Sequence, residues 1–87
     1  MTAAEKRTVL LRVLAAGARA ASRMAPGFTP PTAVGMRAWN GARPAIAARY
    51  GWPPLAHEVR RQVNALDGHR TSWGELLREA LANGAHS

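Results

Sequence analysis

Few side chains in this sequence can do acid–base or metal chemistry: four glutamates, one aspartate and three histidines, with no cysteine. His57 and Glu58 open like the H-E-x-x-H zinc-protease pattern, in which two histidines one helical turn apart hold the metal and the glutamate acts as base. Position 61 is arginine, so the second ligand is missing. No other histidine has a metal-ligand partner at a recognisable local spacing. Ser72 stands where a helix needs a cap, and no nucleophile elbow surrounds it. Gly35, Gly41 and Gly51 follow no strand, so they build no phosphate loop. The expectation is a non-enzymatic protein with no catalytic residues, no cofactor and no metal.

The remaining chemistry is cationic. Basic residues outnumber acidic ones 12 to 5, the net charge is +7, and eleven of the twelve are arginine. Such a field favours polyanions: nucleic acid, an acidic protein surface or anionic lipid. Arginine adds planar, bidentate recognition of phosphates and base edges. Drift in a GC-rich genome would also enrich Ala, Arg, Gly and Pro, so composition alone decides nothing.

Position says more. Between residues 55 and 66, Leu55, Val59, Val63 and Leu66 share a narrow sector of a helix, and His57, Arg60, Arg61 and Asn64 point the other way. In helix-turn-helix geometry the second helix enters the major groove, its N-terminal half approaches base edges, and Arg or Asn supplies bidentate hydrogen bonds. Arg49 and Arg61 can then take phosphates. Arg12, Arg19 and Arg23 form a second strip on the first helix, which is expected to share the contact. The plain alternative is that any exposed helix face is polar and arginine is common in this chain.

The elements that must position these residues follow from caps and breakers. Thr2 and Glu5 make an S/T-x-x-E capping box. Val9, Leu10, Val13, Leu14, Gly17 and Met24 follow at helical spacing, so the first helix should end near Met24, before the breakers of residues 25–31. Thr32 caps a short helix carrying Val34, Met36 and Trp39, which Asn40-Gly41 should end. Pro44 suits the first position of another helix. Ile46, Ala47 and Tyr50 form its inner side, and Gly51 closes it in the left-handed conformation. The basic helix starts after Pro54 and stops at Gly68. Ser72 and Glu75 form a second capping box for a last helix with the stripe Trp73, Leu76, Leu77, Ala80 and Leu81. Gly84 would cap it, and residues 85–87 would be a frayed tail. Core roles are expected for Trp52 and Trp73, and less so for Trp39.

No stretch alternates with strand periodicity. The fold class is therefore all-α, a small bundle of four or five helices with a helix-turn-helix-like pair. One domain should span residues 1–87, with a long N-terminal amphipathic helix over 1–25 and a helix-turn-helix-like module over 30–84. No segment is long and apolar enough to span a membrane. The N-terminal run is arginine-rich and acid-poor in the manner of a transit peptide, with Glu5 arguing against it. The lack of cysteine fits a cytoplasmic setting.

Pro31-Thr32, Gly51-Trp52-Pro53, Val59-Arg60-Arg61, Ser72-Trp73 and Ala82 to Gly84 occur in an order that resembles the homing-endonuclease-associated repeat. That small helical DNA-binding module is common in actinobacterial and phage proteins. The resemblance covers about residues 30–84. It implies binding of double-stranded DNA without nuclease activity, because no nuclease residues are present. One departure stands out: the family joins the basic helix to the Ser-Trp pair by a short connection, whereas here "QVNALDGHRT" intervenes.

Two classes of function follow. The first is a small basic DNA-binding protein, regulatory and of phage or actinobacterial type, contacting duplex DNA through His57, Arg60, Arg61, Asn64, Arg49, Arg12, Arg19 and Arg23. The alternative is a protein-interaction module that binds an acidic host or partner protein. Its feature is the first helix, whose broad apolar face exceeds what short helices are expected to cover. A homodimer through that helix is compatible with either. A basic amphipathic helix can also lie on anionic lipid, but a membrane partner is not expected.

Overall fold

Thr2 and Glu5 start the first helix by capping each other: the Thr2 hydroxyl accepts from the Glu5 N–H at 3.1 Å, and the Glu5 carboxylate accepts from the Thr2 N–H at 3.2 Å. Helix α1 then runs over Ala3–Met24. The computed structural model describes residues 1–24 and 32–84. The breaker run 25–31, which includes Pro31 of the family-like order, and the tail 85–87 lie outside the described residues.

Helix α2, Ala33–Tyr50, departs from expectation. Thr32 caps it as the sequence suggests, its hydroxyl accepting from the Gly35 N–H at 3.0 Å. Asn40-Gly41 does not end it, and Pro44 lies inside it rather than at the start of a new helix. The segments expected as two short helices are one. The reason is a continuous inner stripe of Ala38, Trp39, Ala42 and Ile46, each no more than 6% exposed. Burying that stripe outweighs the weak helix propensity of Gly and Pro. Pro44 and Asn40 both face solvent, so the Asn40 carbonyl that loses its helical donor at position 44 is on the wet side.

Gly51 closes α2 at φ 72°, donating to the Ala47 carbonyl at 2.8 Å. Helix α3 spans Ala56–Asp67, one residue later than Leu55, which is its uncapped N-cap. Gly68 ends it at φ 74°, donating to the Asn64 carbonyl at 2.9 Å. Helix α4 spans Trp73–Gly84. It opens on Ser72, whose hydroxyl accepts from the Glu75 N–H at 3.3 Å. The chain is thus an all-α bundle of four helices.

Helix α1 is the hub. The other three each pack against it and touch one another only slightly. Leu10, Leu11, Val13, Leu14, Ala15, Ala18 and Ala21 are all at most 3% exposed, so most of its circumference is covered. Most of its broad apolar face is therefore used inside the molecule. Past its first two turns, α1 shows to solvent Arg12, Arg19 and Arg23, with Ser22 and Met24 at its end. A homodimer through α1 would set two such strips against each other.

Trp39 is the largest fully buried side chain, and its indole N–H donates to the Pro54 carbonyl at 2.9 Å. Trp52 and Trp73 are only partly buried and pack at the edge of the core. The order expected among the tryptophans is reversed, because Trp39 falls mid-helix on the inner stripe and not at a helix end. Leu14, Ile46, Val59, Val63 and Leu76 complete the centre. Each such aliphatic burial contributes about 1.5–3 kcal/mol. Met24 and Leu81, expected in buried stripes, are 54% and 41% exposed. No helix among the described residues is long and apolar enough to cross a membrane.

Candidate nucleic-acid interface

Helix α3 buries Ala56, Val59 and Val63 against the hub. His57, Arg60, Arg61 and Asn64 stand at i, i+3, i+4 and i+7, so they share the outer face. The structure brings all four to one open groove of about 310 Å³ and adds Arg70 from the α3–α4 connection. His57, Arg61 and Arg70 are exposed, while Arg60 and Asn64 are half-buried.

The half-burial has a cause. The connection of residues 68–72 folds back along α3. The Asn64 side-chain carbonyl accepts from the Thr71 N–H at 3.0 Å, and the Arg60 Nε donates to the Thr71 carbonyl at 2.9 Å. Both polar groups of the buried Thr71 backbone are thereby satisfied from one helix face. The Arg60 guanidinium also lies over the Trp73 ring, 5.2 Å from its centroid, a cation–π distance. Arg60 and Asn64 are thus brace residues first. The brace uses one nitrogen of the Arg60 fork, and its other two nitrogens have no partner among the described residues. Residues 68–72 supply this return and place Arg70 beside the groove.

The four remaining expected residues lie elsewhere. Arg19, Arg23 and Arg49 line a groove between α1 and α2, floored by Ala16, Ala20, Ala45 and Ile46. Arg12 lines a separate groove with Arg7, Thr8, Leu11 and Asn83. Arg19 and Arg23 also line the groove between α1 and α4. Their strip therefore lies between α2 and α4, and α3 takes the remaining side of α1. The arginines of α1 and the outer face of α3 thus line different grooves.

Charge pairing sharpens the contrast. Both ion pairs among the described residues belong to Arg7. Its Nε and Nη2 donate to the two Asp67 oxygens at 2.7 and 3.1 Å, and its Nη1 and Nη2 donate to Glu79. One guanidinium so pins α1 to the end of α3 and to α4. Hydrogen bonds from Arg7 hold the Asp67 carboxyl below its ordinary range. Hydrogen bonds to Glu79 and Asp67 raise Arg7 further. Sequence reading missed this role, because the three residues lie far apart in the chain. The arginines of the α3 groove make no ion pair among the described residues.

Among the described residues no cluster of His, Asp and Glu could hold a metal ion. The groove offers cations, hydrogen-bond donors and an imidazole on a helix face braced from behind. That inventory suits binding of an extended polyanion. The chain matches no family model, and no curated protein or solved structure is significantly similar to it.

Proposed function

We propose that this protein binds double-stranded DNA through the outer face of α3, as a small non-enzymatic regulator of phage or actinobacterial type acting in the cytoplasm. The observation that carries the reading is the convergence of His57, Arg60, Arg61, Asn64 and Arg70 on one groove with no carboxylate among its lining. Helix α3 is long enough to lie in a major groove, with twelve residues spanning about 18 Å. His57, Arg60 and Arg61 lie in its N-terminal half, the part that approaches base edges in helix-turn-helix docking. Arg60 retains free donors for a base or phosphate, and Arg61 and Arg70 flank it as phosphate ligands.

Fluorescence anisotropy on a labelled duplex across a salt series tests it. Three or four phosphate contacts predict a log–log slope of about −3 to −4 against salt. Arg61→Ala and Arg70→Ala should each reduce that slope by about one contact's worth, near 0.9. Weak binding at low salt, or binding indifferent to salt, overturns the reading.

A further inference from the structure

A second groove, on another side of the molecule, has a different chemistry. It lies between the C-terminal half of α1 and α4, with a volume of about 430 Å³. Ala18, Leu77 and Leu81 supply apolar surface, and Arg19, Ser22 and Arg23 the polar rim. Leu81 is 41% exposed. We propose that this groove receives an amphipathic acidic helix of a partner protein, bearing apolar anchors one turn apart and carboxylates at the same spacing beside them.

Charge and spacing select that occupant. Arg19 and Arg23 are exposed and make no ion pair among the described residues, and no acidic side chain lines the groove. They stand four residues apart on α1, a rise of about 6 Å. Two carboxylates at i and i+4 on a guest helix have the same separation and can take one guanidinium each. The guest's anchors then cover Leu77 and Leu81, as in helix-in-groove recognition. A nucleic-acid backbone would satisfy the arginines but leave both leucines wet, and among the described residues no aromatic ring lines the groove to stack a base. A second copy of the chain would bring another +7 charge to a basic rim. This proposal does not rest on the DNA reading.

The test uses the full chain and a fluorescein-labelled helical peptide with two leucines four positions apart, each followed by a glutamate. Anisotropy should report saturable binding. Replacing the peptide leucines by serine, or its glutamates by glutamine, should weaken it by about tenfold or more. In the protein, Leu81→Asp should do the same. So should Arg19→Glu with Arg23→Glu, a pair of exposed sites that keeps the test alive if Leu81→Asp unfolds; circular dichroism checks each variant. Lys6→Glu with Arg37→Glu makes the same charge change outside the groove and should leave affinity within about twofold. Absence of binding, equal affinity for the serine peptide, or equal loss in the Lys6/Arg37 control overturns the proposal.

Discussion

The six-membered ring of Trp39 occupies the space that a Cβ on Gly17 would fill. Helix α1 presents bare backbone there to a side chain of α2, and the same indole reaches on to the Pro54 carbonyl. One residue therefore fixes the α1–α2 contact and the corner that launches α3.

Gly17→Ala should destabilise the protein even though alanine is the better helix former by about 1 kcal/mol. Overpacking a close contact of this kind typically costs about 1–3 kcal/mol. Trp39→Ala should cost more, about 3–5 kcal/mol, from the cavity and the lost ring contacts. Thermal melts of both variants give the comparison. A Gly17→Ala protein as stable as wild type would mean that the two helices do not meet so closely.

Acid should loosen the Arg7 pin. The folded-state pKa of Asp67 lies below its ordinary value of 3.8. Its contribution is therefore present above that value and lost as pH falls through the lower folded value. Stability measured by urea titration should drop as pH is lowered below about 4. Asp67→Asn should flatten that part of the profile and cost about 1–3 kcal/mol at neutral pH, as for a hydrogen bond to a charged group. Glu79, 38% exposed at its side chain, should matter less. Solvent screening puts Glu79→Gln nearer about 0–1 kcal/mol.

The arginines of the α3 groove should separate into two kinds. Arg61→Ala and Arg70→Ala should weaken duplex binding and leave the melting temperature unchanged. Arg60→Ala should weaken binding and also cost about 1–2 kcal/mol, through the lost Thr71 hydrogen bond and the Trp73 cation–π contact. Asn64→Ala should speed hydrogen exchange at the Thr71 amide, which it now satisfies. Anisotropy, melting and exchange on the four variants distinguish binding loss from loss of the brace.

Pro44→Ala should stabilise the protein. It restores a helical donor to the Asn40 carbonyl and removes a ring from a helix interior, where proline is about 3 kcal/mol worse than alanine. The more flexible unfolded chain returns part of that, about 0.4–1 kcal/mol. A net gain of about 2–2.6 kcal/mol should appear as a higher midpoint in urea.

What the sequence discloses here is mostly what is local. The Thr2–Glu5 box, the left-handed end at Gly51 and the stop at Gly68 depend on neighbours within four residues, and each is found as expected. The buried stripe Val59–Val63 and the outward set His57, Arg60, Arg61 and Asn64 follow from helical period alone. Helix α2 was misleading because Asn40, Gly41 and Pro44 are strong local breakers, while the stripe Ala38, Trp39, Ala42 and Ile46 that overrides them runs unbroken across all three. That spacing was the available signal. The Arg7–Asp67–Glu79 pin and the Thr71 brace had none, since each joins residues whose approach is decided only by how the helices stack on α1.

The hub has a consequence for synthesis. Helix α1 leaves the ribosome before α2, α3 and α4, and its apolar circumference is covered only when they have followed. During that interval the segment that the bundle is built around exposes apolar surface, the condition under which a growing chain is prone to aggregate. Residues 32–84 on their own lack that centre. Cut away from the first 24 residues, their three helices would have little to hold them to one another.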